Sequence, residues 1–298
     1  MIENITSTFE TLSQGSKRTR SDSIIKSLFI NKKSLFGIIV FAIFAGIGIL
    51  GPFLAPYSTN YIGAAAFLPP SFAHPLGTDY IGHDVLSWYL VGTGTSLYVG
   101  ATVALFTVFL GAFVGLASGY YGGIIDSASM RVVDILLILP GFPLLVILSA
   151  YLPPTITTTI IILSVLGWPF MSRVIRSQVL SLKERPFIKA AILSGMPGRK
   201  ILFKEIFKHV LPLIIINAVY IMVGAIVAQA GLAFFGLGDL RSVNWGTSLY
   251  WAQATDAVID NAWWWILPPG ISIAILGIAA NLFGNGLTEI FGERSGEV

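Results

Sequence analysis

His74, Asp79, His83 and Asp84 place four metal-capable side chains on one short polar stretch. Their spacing matches no tight ligand pattern of the kind that holds zinc, so no metal site is expected there. The chain contains no cysteine, which removes disulfides, thiolate nucleophiles and thiolate–metal centres from consideration. It also carries no HExxH pair and no nucleophile elbow. Glycine–lysine pieces near Gly15 and Gly198 lack the GK[ST] ending of a phosphate-binding loop. The chain is therefore expected to hold no catalytic residue and no cofactor of its own, and ATP hydrolysis by this polypeptide is excluded. Arg131 and Asp134 stand at i, i+3 on an expected helix and are predicted to pair, with a gating role as the alternative.

The elements that carry these residues follow from composition. Of the 298 residues, 55% are hydrophobic and only 11% are charged, and mean hydropathy is +0.80. Soluble domains carry roughly 25% charged residues, so lipid must be the solvent of most of this surface. Apolar runs long enough to cross a bilayer fall at about 35–55, 97–117, 133–152, 157–171, 211–232 and 265–287. The fourth is short and is expected to continue past Arg173. These runs must be helices, since lipid offers no partner to an open strand edge. The predicted class is thus all-α, a polytopic membrane protein with six spans.

Basic residues set the orientation. No Lys or Arg occurs between Lys33 and Arg131. With the N-terminus inside, 17 of the 18 basic residues fall on the inner face and only Arg241 lies outside. Asp79, Asp84, Asp239, Asp256 and Asp260 fall outside. This is the positive-inside pattern, and it predicts a multi-pass membrane protein with both termini inside. The polar residues 1–33 lack the apolar core of a cleaved signal peptide. Ile24, Ile25, Leu28 and Phe29 share a helical face and predict either an interfacial helix or an extension of the first span. Trp263, Trp264 and Trp265 fit an aromatic belt, as do Tyr120 and Tyr121 at the other interface.

Some polar groups sit within late spans. Asn217, Tyr220, Gln229 and Asn281, with Asn285 beyond them, are candidates for lining a pathway, although interhelical hydrogen bonding is a commoner use of such residues. Pro140, Gly141 and Pro143 are expected to interrupt the third span, and Pro268 and Pro269 the sixth.

The most informative stretch is the inner loop, SRVIRSQVLSLKERPFIKAAILSGMPGRKILFKEIFKH, from Ser172 to His209. Nine basic residues alternate there with apolar ones such as Val179, Leu182, Phe187, Ile188, Ile192 and Leu193. Pro186 can open a helix, Gly195, Pro197 and Gly198 break it, and Ile201, Leu202, Glu205 and Ile206 resume helical spacing. Topology requires only a few charges. A structured elbow of this size points to a docking surface for a cytoplasmic partner, or to a helix lying flat on anionic lipid.

Lys189-Ala190-Ala191 followed by Gly195 resembles the "EAA…G" loop of ABC importer permeases. The ordered motifs widen the match. His74 to Asp79 and Gly82 to Ser87 resemble the stretch before the permease domain of dipeptide/oligopeptide importers. Gly119 to Gly123 with Asp126, Arg131, Asp134 and Pro140 resembles that family's second-to-third-span junction. Leu232 to Gly238, Trp245-Gly246 and Gly284 to Leu287 are similar to its later landmarks. The single N-terminal span resembles the C-type permease of the pair. Lys189 stands where glutamate is usual, Lys208 replaces a proline and Gln229 a glutamate. His83, Trp88 and Gly94 stand where arginines are common.

The resemblance implies a type I ABC importer permease fold. Its expected divisions are a cytoplasmic segment 1–33, a first span 34–56, an extracytoplasmic loop 57–96, a permease domain 97–290 with coupling loop 173–209, and a tail 291–298. It implies that Phe187, Ile188, Lys189, Ala190, Ala191, Leu193, Ser194, Gly195 and Met196 dock an ATPase subunit as a coupling helix. The implied partners are a second permease, two ATP-binding subunits that hold ATP and Mg, and an extracytoplasmic solute-binding protein, with no nucleic acid. Peptides are the implied cargo, with oligosaccharides or nickel as alternatives. An ion-coupled secondary transporter would instead show inverted repeats and a charged midplane site, and neither is visible.

Overall fold

The apolar runs form helices throughout the computed structural model, which describes residues 29–295. In chain order they are α1 (Lys32–Leu54), α2 (Val85–Tyr121), α3 (Gly123–Ile138), α4 (Gly141–Tyr151), α5 (Ile156–Lys183), α6 (Pro186–Leu193), a rod Gly198–Phe234 termed α7, α8 (Trp245–Ala254) and α9 (Trp263–Ser295). Among the described residues no strand occurs beyond an isolated bridge between Thr78 and Asp84. The helix expected over Ile24–Phe29 lies, except for Phe29, outside the described residues.

Five helices (α1, α2, α5, α7 and α9) are each long and apolar enough to cross a membrane, and α3 with α4 makes a sixth if the bent pair is one span. The expected third span is broken, its halves meeting at 83°. The cause is local. Pro140 lacks an amide hydrogen and forces the residue before it out of the helical region, and Leu139 is extended at ψ 133°. The sixth span differs from expectation, because α9 runs unbroken through Pro268 and Pro269 in its second turn. The fourth continues past Arg173 to Lys183, as expected.

α2 is the central pillar, and small residues make it so. A Cβ added at Gly111 would lie 2.6 Å from Cβ of Met171, at Gly115 2.6 Å from the Ser172 carbonyl oxygen and at Gly119 2.8 Å from Cβ of Val179. A Cβ at Gly100 would meet Ile226 of α7 at 2.7 Å. Without a hydrophobic drive between helices in lipid, such close backbone approach supplies the packing energy. The register also decides topology. Gly111, Gly115 and Gly119 face Met171, Ile175 and Val179 in ascending order, so α2 and α5 run parallel. The chain must therefore travel back the length of the bundle between them, and α3 with α4 makes that return as one broken span.

The two ends of the bundle differ in character. At one end Asn31 caps α1 through the amides of Lys33 and Ser34. Its Nδ2 donates to Glu289 of α9, which also pairs with Lys33. The elbow around α6 lies at this same end, where Gly198 meets Tyr120 at the foot of α2. At the far end Tyr80 is stacked between Trp251 and Trp265, at centroid distances of 5.6 and 5.9 Å. Trp245, at the start of α8, is buried and donates from Nε1 to Thr93 of α2 at 3.2 Å while meeting Phe44 of α1 edge-on.

Candidate functional site

The elbow is built on a stalk. α5 has 28 residues, about 42 Å at a rise of roughly 1.5 Å per residue, which exceeds a hydrocarbon core of roughly 30 Å. The surplus at its C-terminal end packs on the tail of α2 through the Gly115 and Gly119 contacts. Polar clamps secure it. Arg176 grips Asp126 of α3 with Nε and Nη2 donating at 2.5 and 2.6 Å. Arg173 pairs with Asp134. The ammonium of Lys183 donates to the Tyr120 carbonyl at 2.9 Å, satisfying an orphan acceptor at the end of α2. Asp134 thus pairs across to α5 and not with Arg131, because the i, i+3 partner is outcompeted by a guanidinium on the neighbouring helix.

Beyond the stalk the chain turns sharply into α6. Pro186 occupies its first turn, where a missing amide hydrogen costs nothing. Its C-terminus closes with Gly195 in the left-handed region at φ +76°. The Met196 amide donates to Ala191 and the Gly195 amide to Ile192, the paired bonds of a Schellman cap. One face of α6 is anchored. Ile188 is fully buried beside Ile201, Leu202 and Ile206, with Ala191 and Met196 half-buried against the same cluster. Ile188 therefore secures the elbow from within and is not available to a docking partner, contrary to expectation.

The opposite face is bare. Leu193 is 88% exposed and Ile192 53%, with Phe187, Ala190, Ser194 and Gly195 also at the surface. Ile192, named among the apolar positions of the loop but not among the expected docking residues, stands on this face, one turn after the buried Ile188. Phe187 packs against His209 with ring centroids 5.0 Å apart and the planes tilted by 32°, and the Ser194 hydroxyl donates back to the Ala191 carbonyl at 2.8 Å. Lys189 pairs with Glu184 at 2.9 Å. That hydrogen bond, helped by the Lys189 charge, holds the Glu184 carboxyl below the usual glutamate range. After α6 the chain re-enters the bundle through a π-helical stretch, Ile201–Ile206, at the foot of α7. Such i→i+5 turns are rare and recur at functional sites.

The pathway candidates are dispersed. Asn217 donates to the Leu213 carbonyl and Asn281 to that of Gly277, each on its own helix. Tyr220 is brought against α9, its hydroxyl beside Gly284. Gln229 is buried near the far end of α7. At that end the four metal-capable residues sort into two separate pairs, His74 with Asp84 at 2.9 Å and His83 with Asp79 at 2.7 Å. Asp84 also caps α2, accepting from the Ser87 amide at 2.8 Å. Among the described residues no three carboxylates and imidazoles converge as metal ligands would. Burial, with the Asp79 charge adjoining, pushes the Tyr80 phenol up, so it stays neutral in its aromatic stack.

Comparison with known proteins gives this arrangement its context. Residues 108–296 match the family model of the binding-protein-dependent transport system inner membrane component, and residues 20–70 match the N-terminal TM domain of oligopeptide transport permease C. A putative peptide transport system permease protein of Brucella suis biovar 1 is 35% identical over 252 residues, covering 83% of this chain and 84% of that protein. The probable D,D-dipeptide transport system permease protein of Escherichia coli strain K12 is 33% identical over 250 residues, 83% of each chain. The oligopeptide transport system permease protein of Mycobacterium tuberculosis is 36% identical over 242 residues, 80% of this chain and 82% of that one. The all-helical bundle with its basic elbow is accordingly a permease, and the chain belongs to the family of binding-protein-dependent transport system inner membrane components.

Proposed function

We propose that this chain is the C-type permease of a peptide importer, forming with a second permease the translocation pathway for di- or oligopeptides. ATP is hydrolysed, with Mg, by two separate subunits that dock at the elbow, and an extracytoplasmic solute-binding protein delivers cargo at the far end. The observation that carries this reading is α6, a short helix at the end of the 28-residue α5, anchored by Ile188 and presenting Phe187, Ile192 and Leu193 outward. An isolated apolar knob of this kind is a site for a partner. The peptide cargo draws support from the names of the relatives, all of which concern peptides.

In this reading the elbow end is cytoplasmic. The start of α1 and Glu289 of α9 lie at the same end as the elbow, which supports two cytoplasmic termini and the expected division into segment 1–33, span 34–56, outer loop 57–96, permease domain 97–290 and tail 291–298. ATP binding favours one facing of the pathway and hydrolysis the other, so access alternates by population shift. Movement at the nucleotide sites reaches the bundle through α6 and the stalk. Asn217, Tyr220, Gln229 and Asn281 remain the proposed polar contacts with cargo. The test is co-purification of this chain from native membranes: a second permease and two ATP-binding subunits should accompany it, and peptide should stimulate ATP hydrolysis once the binding protein is added. A chain that purifies alone from mild detergent would sink the assignment.

A further inference from the structure

The cations of the elbow fall into two groups. One group is satisfied within the chain: Arg173 by Asp134, Arg176 by Asp126, Lys183 by the carbonyls of Gly119 and Tyr120, and Lys189 of α6 by Glu184. The other group, on both sides of α6, is not. Arg185, Arg199, Lys200, Lys204 and Lys208 are all exposed and pair with no carboxylate among the described residues. The elbow from residue 184 to 209 contains just one acidic residue besides Glu184, and this is Glu205. Orientation in the membrane requires only a few basic residues on the inner face, and residues 1–33 together with Arg173 and Arg176 already supply them.

Resting on the docking role assigned to α6, we propose that the ATP-binding subunit that receives it has an apolar socket for Ile192 and Leu193 edged by carboxylates, which pair with Arg185, Arg199, Lys200 and Lys204. Complementary rims of this kind set partner choice and association rate more than bulk affinity. The rim selects the cognate ATPase against subunits whose sockets are edged with basic groups, and like charges placed opposite one another reject the wrong partner.

The test uses the whole importer, extracted in a neutral detergent without anionic lipid, and reads the amount of ATPase subunit retained per permease as salt is raised. Wild-type retention should fall with salt. Arg199→Glu with Lys200→Glu should lower retention at low salt about tenfold, and the neutral pair Arg199→Gln with Lys200→Gln should flatten the salt dependence, which keeps the test decisive if the reversed pair inserts poorly. A carboxylate-to-lysine change in the ATPase socket should restore the reversed pair. Leu193→Asp separates the two layers of the argument. If it releases the ATPase while both charge variants retain it normally at every salt concentration, docking stands and the acidic rim is refuted. If Leu193→Asp retains the ATPase too, the docking role itself fails. Cations that serve lipid would leave retention in this detergent unchanged, which also overturns the proposal.

Discussion

Gly195 shows how a small residue can matter for a reason other than size. A Cβ added there would meet nothing within 4 Å, yet its φ of +76° is one that L side chains adopt only with strain. Gly195→Val should therefore weaken the elbow cap by about 1–2 kcal/mol and uncouple ATP hydrolysis from transport while leaving membrane insertion intact. Gly195→Asn, which tolerates the left-handed region, should retain most coupling. The ratio of peptide transported to ATP hydrolysed in proteoliposomes checks both, and equal behaviour of the two variants would remove conformation as the cause. The Glu184–Lys189 pair offers a pH prediction. Its carboxyl lies below the usual value, so its folded form binds the proton less readily than the unfolded one. The pair is fully present above the ordinary glutamate range and is lost as pH falls through the lowered value. Hydrogen exchange of α6 should quicken only below that range, and Glu184→Gln should abolish the pH step without releasing α6, which Ile188 anchors.

At the scale of elements, the seam between α2 and α5 is packed backbone to backbone at Gly111, Gly115 and Gly119 down to the foot of α2. Gly115→Leu should drive a side chain into the Ser172 carbonyl and Ile175, an overpacking cost of typically 1–3 kcal/mol or more where backbone blocks relaxation. Gly46→Leu in α1, where an added Cβ meets nothing within 4 Å, provides the control. A detergent melting curve should fall for the first and hold for the second. The spans, their order and the helix of the elbow opened by Pro186 were legible in the sequence because hydropathy, charge and proline placement are local signals. The partners of charged groups were not. Arg131 and Asp134 are neighbours on one helix, but Arg173 reaches Asp134 from another, and only the parallel register of α2 and α5 brings Asp126 to Arg176. The role of Ile188 was hidden for the same reason: on an eight-residue helix with six apolar side chains besides its proline, composition alone does not say which face turns inward. Proline also acted by context, breaking the chain at Pro140 while Pro268 and Pro269 were absorbed near the start of α9.

For the whole molecule, orientation is the property on which the function depends, and the parallel pairing of α2 with α5 reduces it to a single question. If α3 and α4 together cross the membrane once, the elbow, the start of α1 and the end of α9 share one face, and residues around Phe72 share the other. The absence of cysteine makes this directly measurable. Ser71→Cys and Ser194→Cys each introduce one thiol at an exposed position, on the far-end loop and on the elbow. A membrane-impermeant maleimide applied to intact spheroplasts should label the chain carrying Ser71→Cys, and should label the one carrying Ser194→Cys only after permeabilisation. A re-entrant α3–α4 pair would reverse α5, bring the elbow to the outer face and label both in intact cells. That second outcome would also split the chain's basic residues between the two faces, with the nine from Ser172 to His209 opposite the seven that precede them in the sequence, against the membrane's charge asymmetry. Labelling confined to Ser71→Cys would fix the elbow on the face where ATP is available, the one condition under which a non-catalytic chain can take up the work of a separate ATPase.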